Sequence, residues 1–505
     1  MIVLNKFLNT KDFISLVEKT KSLTIHENLL ESIDKNYTFL KSFSADKVIY
    51  GVNTGFGPMA QYRVSDEDRI QLQYNLIRSH ASGAGKPMPD DFVRATMIAR
   101  LNSLSKAKSG VHPSVIEVLT TLINKEIYPV ILEHGGVGAS GDLVQLAHLA
   151  LVLIGEGEVI FKNKRQATAE VFKKEGIEPI QVTLREGLAL MNGTSAMTGI
   201  GLINYHNATK LLQWSMNCSA LINEIVEAYD DHFSVELNSA KLHVGQSIIA
   251  EEMRNHLKDS QLTKKREQHL YTGENNEVIF KEKVQEYYSI RCIPQILGPV
   301  YDTIENVGKV LEGELNSAND NPIIDSDVEQ VFHGGNFHGD YVSLEMDKLK
   351  LVVTRMTMLA DRQLNYLLNA KINEILPPFV NRGVLGLNYG VQGAQFTSTS
   401  TTAENQALST SMYIHSIPCN NDNQDIVSMG TNAAQMASRT IENAFQVMSV
   451  ELVAIYQAVK YLGVFDRLSS KSQKIITNLE GIIPDIIEDK PLYPMIEKTK
   501  NFIKN

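Results

Sequence analysis

The chain has 505 residues, long enough for two or three domains or one large helical body with a sizeable core. With 43% hydrophobic and 21% charged residues it has the balance of a globular protein, and a formal charge of −10 with a pI near 5.8 argues against nucleic acid or an anionic membrane as its main partner. Cys218, Cys292 and Cys419 lie far apart without a C-x-x-C, which suits a reducing compartment and offers neither a disulfide framework nor a zinc site.

The opening MIVLNKFLNTKDF has too short an apolar run for a signal peptide. The most hydrophobic stretch, LAHLALVLIG, is about half the length needed to cross a bilayer and carries His148. A soluble, cytoplasmic chain is expected. The first 60 residues are mixed in pattern and end in KVIY and the glycine-punctuated loop GVNTGFG. Ser65 with Asp68 gives a capping-box signal for a helix through QLQYNLIRSH, which the run ASGAG stops. Pro113, in the first-turn position that proline favours, begins a helix to about Lys125. IYPVIL reads as a short strand.

From about residue 200 the pattern changes. Tyr341 to Leu376 contains no Gly or Pro, and Leu349, Val352, Val353, Met356, Leu359, Ala360, Leu364 and Leu367 follow helical spacing. Ile441 to Leu462 does the same through Phe445, Met448, Leu452, Ile455 and Val459, with Gly463 placed to cap its end. Helices this long and this apolar pack in a bundle or across subunits. The charge-rich stretch 251–286 reads as a solvated helix and loop. The expected division is an N-terminal domain over 1–200 and a bundle of long helices over 201–505, mainly α.

One stretch, EHGGVGASGDLVQLAHLALVLIGEGEVIF from Glu133 to Phe161, admits two readings. Gly136, Gly138 and Gly141 satisfy G-x-G-x-x-G ahead of an apolar helix, with Glu158 about 20 residues on, the outline of a dinucleotide loop. Against this, Pro129 is awkward in the strand that should precede the loop. Glu158 stands at the front of EVIF rather than at the end of a second strand. No alternating strand–helix series follows, and no G-K-[ST] makes a P-loop. A tight glycine turn into a helix is the plain structural alternative.

In context, GGVGASGDL with L-x-H-x-A downstream resembles the signature of the aromatic amino acid ammonia-lyases, the family of histidine, phenylalanine and tyrosine ammonia-lyases. The resemblance implies that Ala139, Ser140 and Gly141 cyclise autocatalytically, losing two waters, to a 4-methylidene-imidazol-5-one electrophile, with no metal and no nucleotide. These residue types suit that condensation. The amide nitrogen of Gly141 must reach the Ala139 carbonyl carbon, which glycine allows and a chain crowded by Cβ atoms resists. Leu143, Leu146, Ala147, Ala150 and Leu151 then define a helix whose N-terminal partial positive charge would favour negative charge on the ring.

Further motifs recur in the family's order from about Lys47 to the last long helix. VIYGVNTGFGPMA carries Tyr50, GLALMNGTSAMTG carries Asn192, and QEYYSIRCIPQILG carries Gln285, Tyr288 and Arg291. NSANDNPI, HGGNFHGD with Phe337, and NDNQDIVSMG with Asn423 and Gln424 complete the set. By resemblance the substrate amine adds to the electrophile and Tyr50 takes the β-proton, for which a phenol must be made more acidic. Arg291 can clamp a carboxylate with two parallel hydrogen bonds. Asn192 and Gln285 can hold the amine and carboxylate without adding charge, while Tyr288 and Phe337 line the electrophile. Core packing is the rival role for Phe337. His333, His338 and Asp340 have suggestive metal spacing but no accompanying ligand cluster, and NGTSAM lacks the glycine after serine that a nucleophile elbow requires.

Selectivity is expected at two places. The dipeptide Ser79-His80 resembles histidine lyases, whereas many tyrosine-selective relatives have His-Leu and phenylalanine lyases are apolar there. Gln424 stands where histidine lyases carry a glutamate, which removes a partner for imidazole. A polar group at His80 without a carboxylate at Gln424 suits a phenol hydroxyl and disfavours phenylalanine. Together with wording similar to flavobacterial-type tyrosine ammonia-lyases, this points to L-tyrosine giving trans-p-coumarate and ammonia. The alternatives are L-histidine to trans-urocanate, a 2,3-aminomutase sharing the electrophile, and a catalytically silent helical scaffold. The resemblance also implies an ammonia-lyase (fumarase/aspartase-like) architecture. It further implies a homotetramer with shared active sites, the long helices forming its core.

Overall fold

The computed structural model describes residues 1–5, 7–272, 278–280 and 282–505, so part of the charge-rich loop within 251–286 lies outside the described residues. The fold is mainly α, with short two- and three-stranded sheets. The chain divides into two compact units. The first comprises residues 1–205, 307–347 and 411–436, and the second 206–306, 348–410 and 437–505. The first unit thus gathers, besides the N-terminal part, two segments from beyond residue 200.

In the first unit, local chemistry sets the element ends. The helix Pro113–Lys125 starts on proline, after His112, whose Nδ1 accepts the Ser114 N–H at 3.2 Å. It buries Val115, Ile116, Leu119, Leu122 and Ile123 and ends at Glu126 in the left-handed region, φ 57°. The Ser65–Asp68 signal acts one step earlier than a capping box. The Ser65 hydroxyl donates to the Asp68 carboxylate at 2.6 Å and accepts the Asp68 N–H at 3.3 Å, closing a turn just ahead of the helix Arg69–His80.

IYPVIL divides between two sheets. Tyr128–Pro129 forms the edge of a three-stranded antiparallel sheet with Glu158–Phe161 and Lys164–Ala167, while Leu132–His134 pairs with Ala84–Pro87. An edge strand is where a residue without an N–H is tolerated. Among the described residues the only parallel strand pair is Ile2–Leu4 with Leu23–Ile25, so the glycine stretch does not belong to a parallel βαβ unit.

The second unit consists of helices and loops among its described residues. Within it Leu349, Val353, Met356, Leu359, Ala360, Leu364 and Leu367 are buried, as are Phe445, Met448, Leu452, Ile455 and Val459; Val352 is half-buried. The first of these helices, Asp340–Leu368, stops short of Leu376 because Asn369 leaves the helical region at φ −102° and ψ 93°. Its side chain accepts the Lys371 N–H at 3.1 Å and caps a new short helix, Ala370–Asn373. The other, Gly430–Leu462, starts well before Ile441, and Gly463 at φ +64° ends it. Its early turns carry small residues, with Ala433, Ala434 and Ala437 buried, so they lack the large apolar markers that reveal a helix in sequence. No described helix is long and apolar enough to cross a membrane.

Candidate active site

Ala139 and Gly141 are buried and Ser140 is half-buried, just ahead of the helix Leu143–Leu153. The corner is built on close backbone approaches. Gly141 holds φ at +73°, and a Cβ there would lie 1.9 Å from the Gly193 carbonyl oxygen. The Asp142 N–H donates to that same oxygen at 2.7 Å. The Gly138 carbonyl accepts from the Gly339 N–H at 3.1 Å and from the Ser428 hydroxyl at 3.0 Å, which ties the corner to both later segments of the unit.

Asp142 occupies the N-cap position of its own helix without capping it. Its carboxylate instead accepts the N–H groups of Ala196 at 2.7 Å and Met197 at 2.9 Å, at the positive end of the helix Ser195–Ile225, and the hydroxyl of Thr431. Burial outweighs these donors and raises the carboxyl to about 6. Arg100, equally enclosed, donates to the Ala189 carbonyl, and burial lowers its guanidinium to about 10.

Two neutral amides converge on Ser140. Asn192, at the C-terminal end of the helix Glu186–Met191, donates from Nδ2 to the Ser140 carbonyl at 3.1 Å, and its Oδ1 accepts the Asn321 N–H at 2.9 Å. Gln424 Nε2 lies 2.9 Å from the Ser140 hydroxyl, and the Cys419 thiol donates to Gln424 Oε1 at 3.3 Å. The loop between them folds back through Asn420, Asn421 and Asp422, all with positive φ. Asn and Asp tolerate that conformation better than other residues with a side chain.

These groups open onto a cavity of about 350 Å³, within the range of small-molecule sites. Tyr50, His80, Ser140, Asn192, Phe337, Asn423 and Gln424 line it. The Tyr50 oxygen accepts the Gly57 N–H at 3.0 Å, and its ring meets Phe56 edge-on at 6.0 Å. His80 Nδ1 lies 3.0 Å from the Leu76 carbonyl and 3.0 Å from the Ser79 hydroxyl. A carbonyl only accepts, so the tautomer that satisfies Leu76 is the one with its proton on Nδ1, which leaves Nε2 of a neutral ring as an acceptor.

The residues singled out from sequence in this unit, Tyr50, His80, Ala139, Ser140, Gly141, Asn192, Phe337, Asn423 and Gln424, are brought to one place. Gln285, Tyr288 and Arg291 line a different cleft, of about 630 Å³, within the second unit. There Arg291 Nη1 donates to Gln285 Oε1 and to the Glu286 carbonyl, both at 2.8 Å, and the guanidinium stacks 4.8 Å from the Tyr288 ring centre. The cavity also takes in Phe56, Leu188, Asn321 and Asn420, to which no role was attached. Asn321 lies inside NSANDNPI but reaches Asn192 through its main-chain N–H, a contact that no residue type announces. His338, singled out for its spacing, has Nδ1 3.3 Å from Asp340 and Nε2 3.1 Å from the Ile426 carbonyl. Among the described residues no group of three His, Cys, Asp or Glu is arranged to hold a metal.

Residues 8–480 match the family model of the aromatic amino acid lyases. The chain is 41% identical over 465 residues to tyrosine 2,3-aminomutase of Chondromyces crocatus, covering 91% of this chain and 87% of that one. It is 37% identical over 498 residues to histidine ammonia-lyase of Bacillus subtilis, covering 98% and 95%. The solved structure of phenylalanine aminomutase from Pantoea agglomerans matches with a TM-score of 0.96 at 34% identity, covering 100% of this chain and 98% of the other.

Proposed function

Because the chain belongs to the aromatic amino acid lyase family, we propose that it eliminates ammonia from L-tyrosine, without oxidation, to give trans-p-coumarate. The observation that carries the choice of substrate is the His80 ring. With Nδ1–H given to Leu76, Nε2 accepts, and a phenol hydroxyl can donate to it where the ring of phenylalanine cannot. Gln424 adds no carboxylate that would favour an imidazole.

The tripeptide fits a methylidene-imidazolone. Gly141 holds a φ that an L side chain resists, and the approach of Gly193 leaves no room for a Cβ. Asn192 would hold the group through the Ser140 carbonyl, at the N-terminal end of the helix Leu143–Leu153. Formed from these three residues, the group would supply an electron-poor carbon and so would make the substrate nitrogen a better leaving group. Tyr50 receives the β-proton, its oxygen fixed by the Gly57 N–H. Phe337, Phe56 and Leu188 give the cavity an apolar wall that keeps water from the reacting atoms. Asn423 and Gln424 close the polar side.

The substrate carboxylate falls to Arg291, with Gln285 and Tyr288 beside it. In this reading a neighbouring copy supplies these three, in a cytoplasmic homotetramer with shared active sites and no metal or nucleotide. Tyr288 is 70% exposed in the single chain, as a residue that completes another copy's site would be. A second reading has support in the 41% identity to a tyrosine 2,3-aminomutase. In that case ammonia returns to the β-carbon before the product leaves.

Purified protein offered tyrosine, histidine and phenylalanine separately, with products identified, tests the proposal. p-Coumarate from tyrosine supports it, β-tyrosine as the main product moves the assignment to the mutase, and faster turnover of histidine overturns the choice of substrate.

A further inference from the structure

Resting on that functional reading, we infer that the buried pair Arg185–Asp320 is a positioning device, setting which end of the Asn192 amide faces the Ser140 carbonyl. The two ends of an asparagine amide are nearly equal in size, so their partners must decide the orientation. Here both partners act one way only. The Ser140 carbonyl can only accept, which demands Nδ2 at 3.1 Å. The Asn321 main-chain N–H can only donate, which demands Oδ1 at 2.9 Å. A flipped amide would oppose two acceptors on one side and two donors on the other.

The Asn321 main chain is therefore the reference point, and Arg185 and Asp320 grip it from both sides. Its N–H also lies 2.7 Å from Asp320 Oδ1, and its carbonyl accepts Arg185 Nη2 at 2.7 Å. The pair itself is bidentate, Nη1 to Oδ2 at 3.0 Å and Nη2 to Oδ1 at 2.9 Å, and its side chains are 0% and 1% exposed. Arg185 Nη1 also donates to the Ser109 carbonyl at 2.8 Å. Gly334 N–H holds the Asn321 side chain at 2.8 Å. Neither Arg185 nor Asp320 lines the cavity, so both act through Asn321 and Asn192. A buried ion pair is weak evidence for stability, because desolvation offsets much of its attraction. Its planar, two-pronged geometry is nonetheless well suited to fixing a peptide, which a lysine cannot reproduce.

The test is a double-mutant cycle on the full-length protein. Asp320→Asn and Arg185→Lys are each made alone and together with Asn192→Ala. Thermal melting, kcat and KM for tyrosine, and the rate at which freshly made chain loses two waters by intact mass are then compared. Asp320→Asn is expected to lower kcat by about 10- to 100-fold while KM changes by less than about threefold, and to slow the water loss. In the Asn192→Ala background the same change should alter both rates by less than about twofold, since the group it positions is gone. Equal losses in both backgrounds, or a fall in melting temperature alone, overturn the positioning role. If Asp320→Asn does not fold, Asp320→Glu, which keeps the charge and displaces the carboxylate, runs through the same cycle. A wild-type chain that retains both waters and turns over no aromatic amino acid overturns the functional reading, an outcome distinct from active wild type with additive losses.

Discussion

Gly141 and Gly193 approach so closely that a Cβ on Gly141 would sit 1.9 Å from the Gly193 carbonyl oxygen, and Gly141 already holds φ at +73°. Backbone conformation and contact thus exclude a side chain independently. Gly141→Ala is expected to displace this corner and block ring closure. Intact mass should show the full polypeptide with both waters retained, and turnover should fall to background. A Gly141→Ala protein that loses two waters would mean the corner has slack that these distances do not allow.

Tyr50→Phe keeps the edge-on contact with Phe56 and removes only the oxygen that Gly57 N–H holds. The loss of one hydrogen bond should cost about 1 kcal/mol in stability. If that oxygen receives the β-proton, kcat should fall by on the order of 10²- to 10⁴-fold. Rates within about tenfold of wild type, in a variant that melts normally, would remove Tyr50 from the base role.

How far the sequence reveals this protein depends on how each contact is made. The helix from Pro113 was legible because proline stands in the first-turn position that its fixed φ and missing N–H favour. The start at Gly430 was not, since small residues pack closely without leaving a periodic trace. Within the site, Tyr50, His80, Asn192 and Gln424 were reached through the motifs that resemble the family, and their side chains line one cavity. Asn321 and the Arg185–Asp320 grip were hidden because they act through a peptide N–H and carbonyl. That Gln285, Tyr288 and Arg291 line a cleft of the second unit was also invisible, as linear order carries no record of which cleft a motif lines.

His80→Phe removes the acceptor at Nε2 while retaining an aromatic ring at the end of the helix Arg69–His80. Tyrosine would then face an apolar ring with its hydroxyl unpaired, whereas phenylalanine loses nothing. The ratio of kcat/KM for phenylalanine over tyrosine should rise by about tenfold or more. An unchanged ratio would mean His80 does not read the substrate ring.

Gln424→Glu replaces a donor 2.9 Å from the Ser140 hydroxyl with a group that only accepts. An imidazole N–H can bond to that carboxylate, so the histidine-to-tyrosine ratio of kcat/KM should rise by about tenfold, chiefly through KM. Loss of both activities in equal measure would instead place Gln424 in service of the electrophile rather than of substrate choice.

The pH dependence of stability should carry a signature of Asp142. Burial raises its carboxyl from an ordinary 3.8 to about 6 in the folded chain, against the pull of Ala196, Met197, Thr431 and the Arg100 cation. A raised folded value means the native state holds a proton that the unfolded chain releases. The resulting stabilisation is complete below pH 3.8 and is lost as pH rises through about 6, on the order of 3 kcal/mol across that window. Asp142→Asn has the same shape, still offers an acceptor to the Ala196 and Met197 N–H groups, and does not titrate. Urea unfolding of wild type and variant between pH 4 and 7 should therefore give curves that converge at low pH and separate as pH rises, with the wild type losing about one proton's worth of slope more than the variant. If the two curves run parallel, the Asp142 carboxyl is not the group that burial forces to keep its proton.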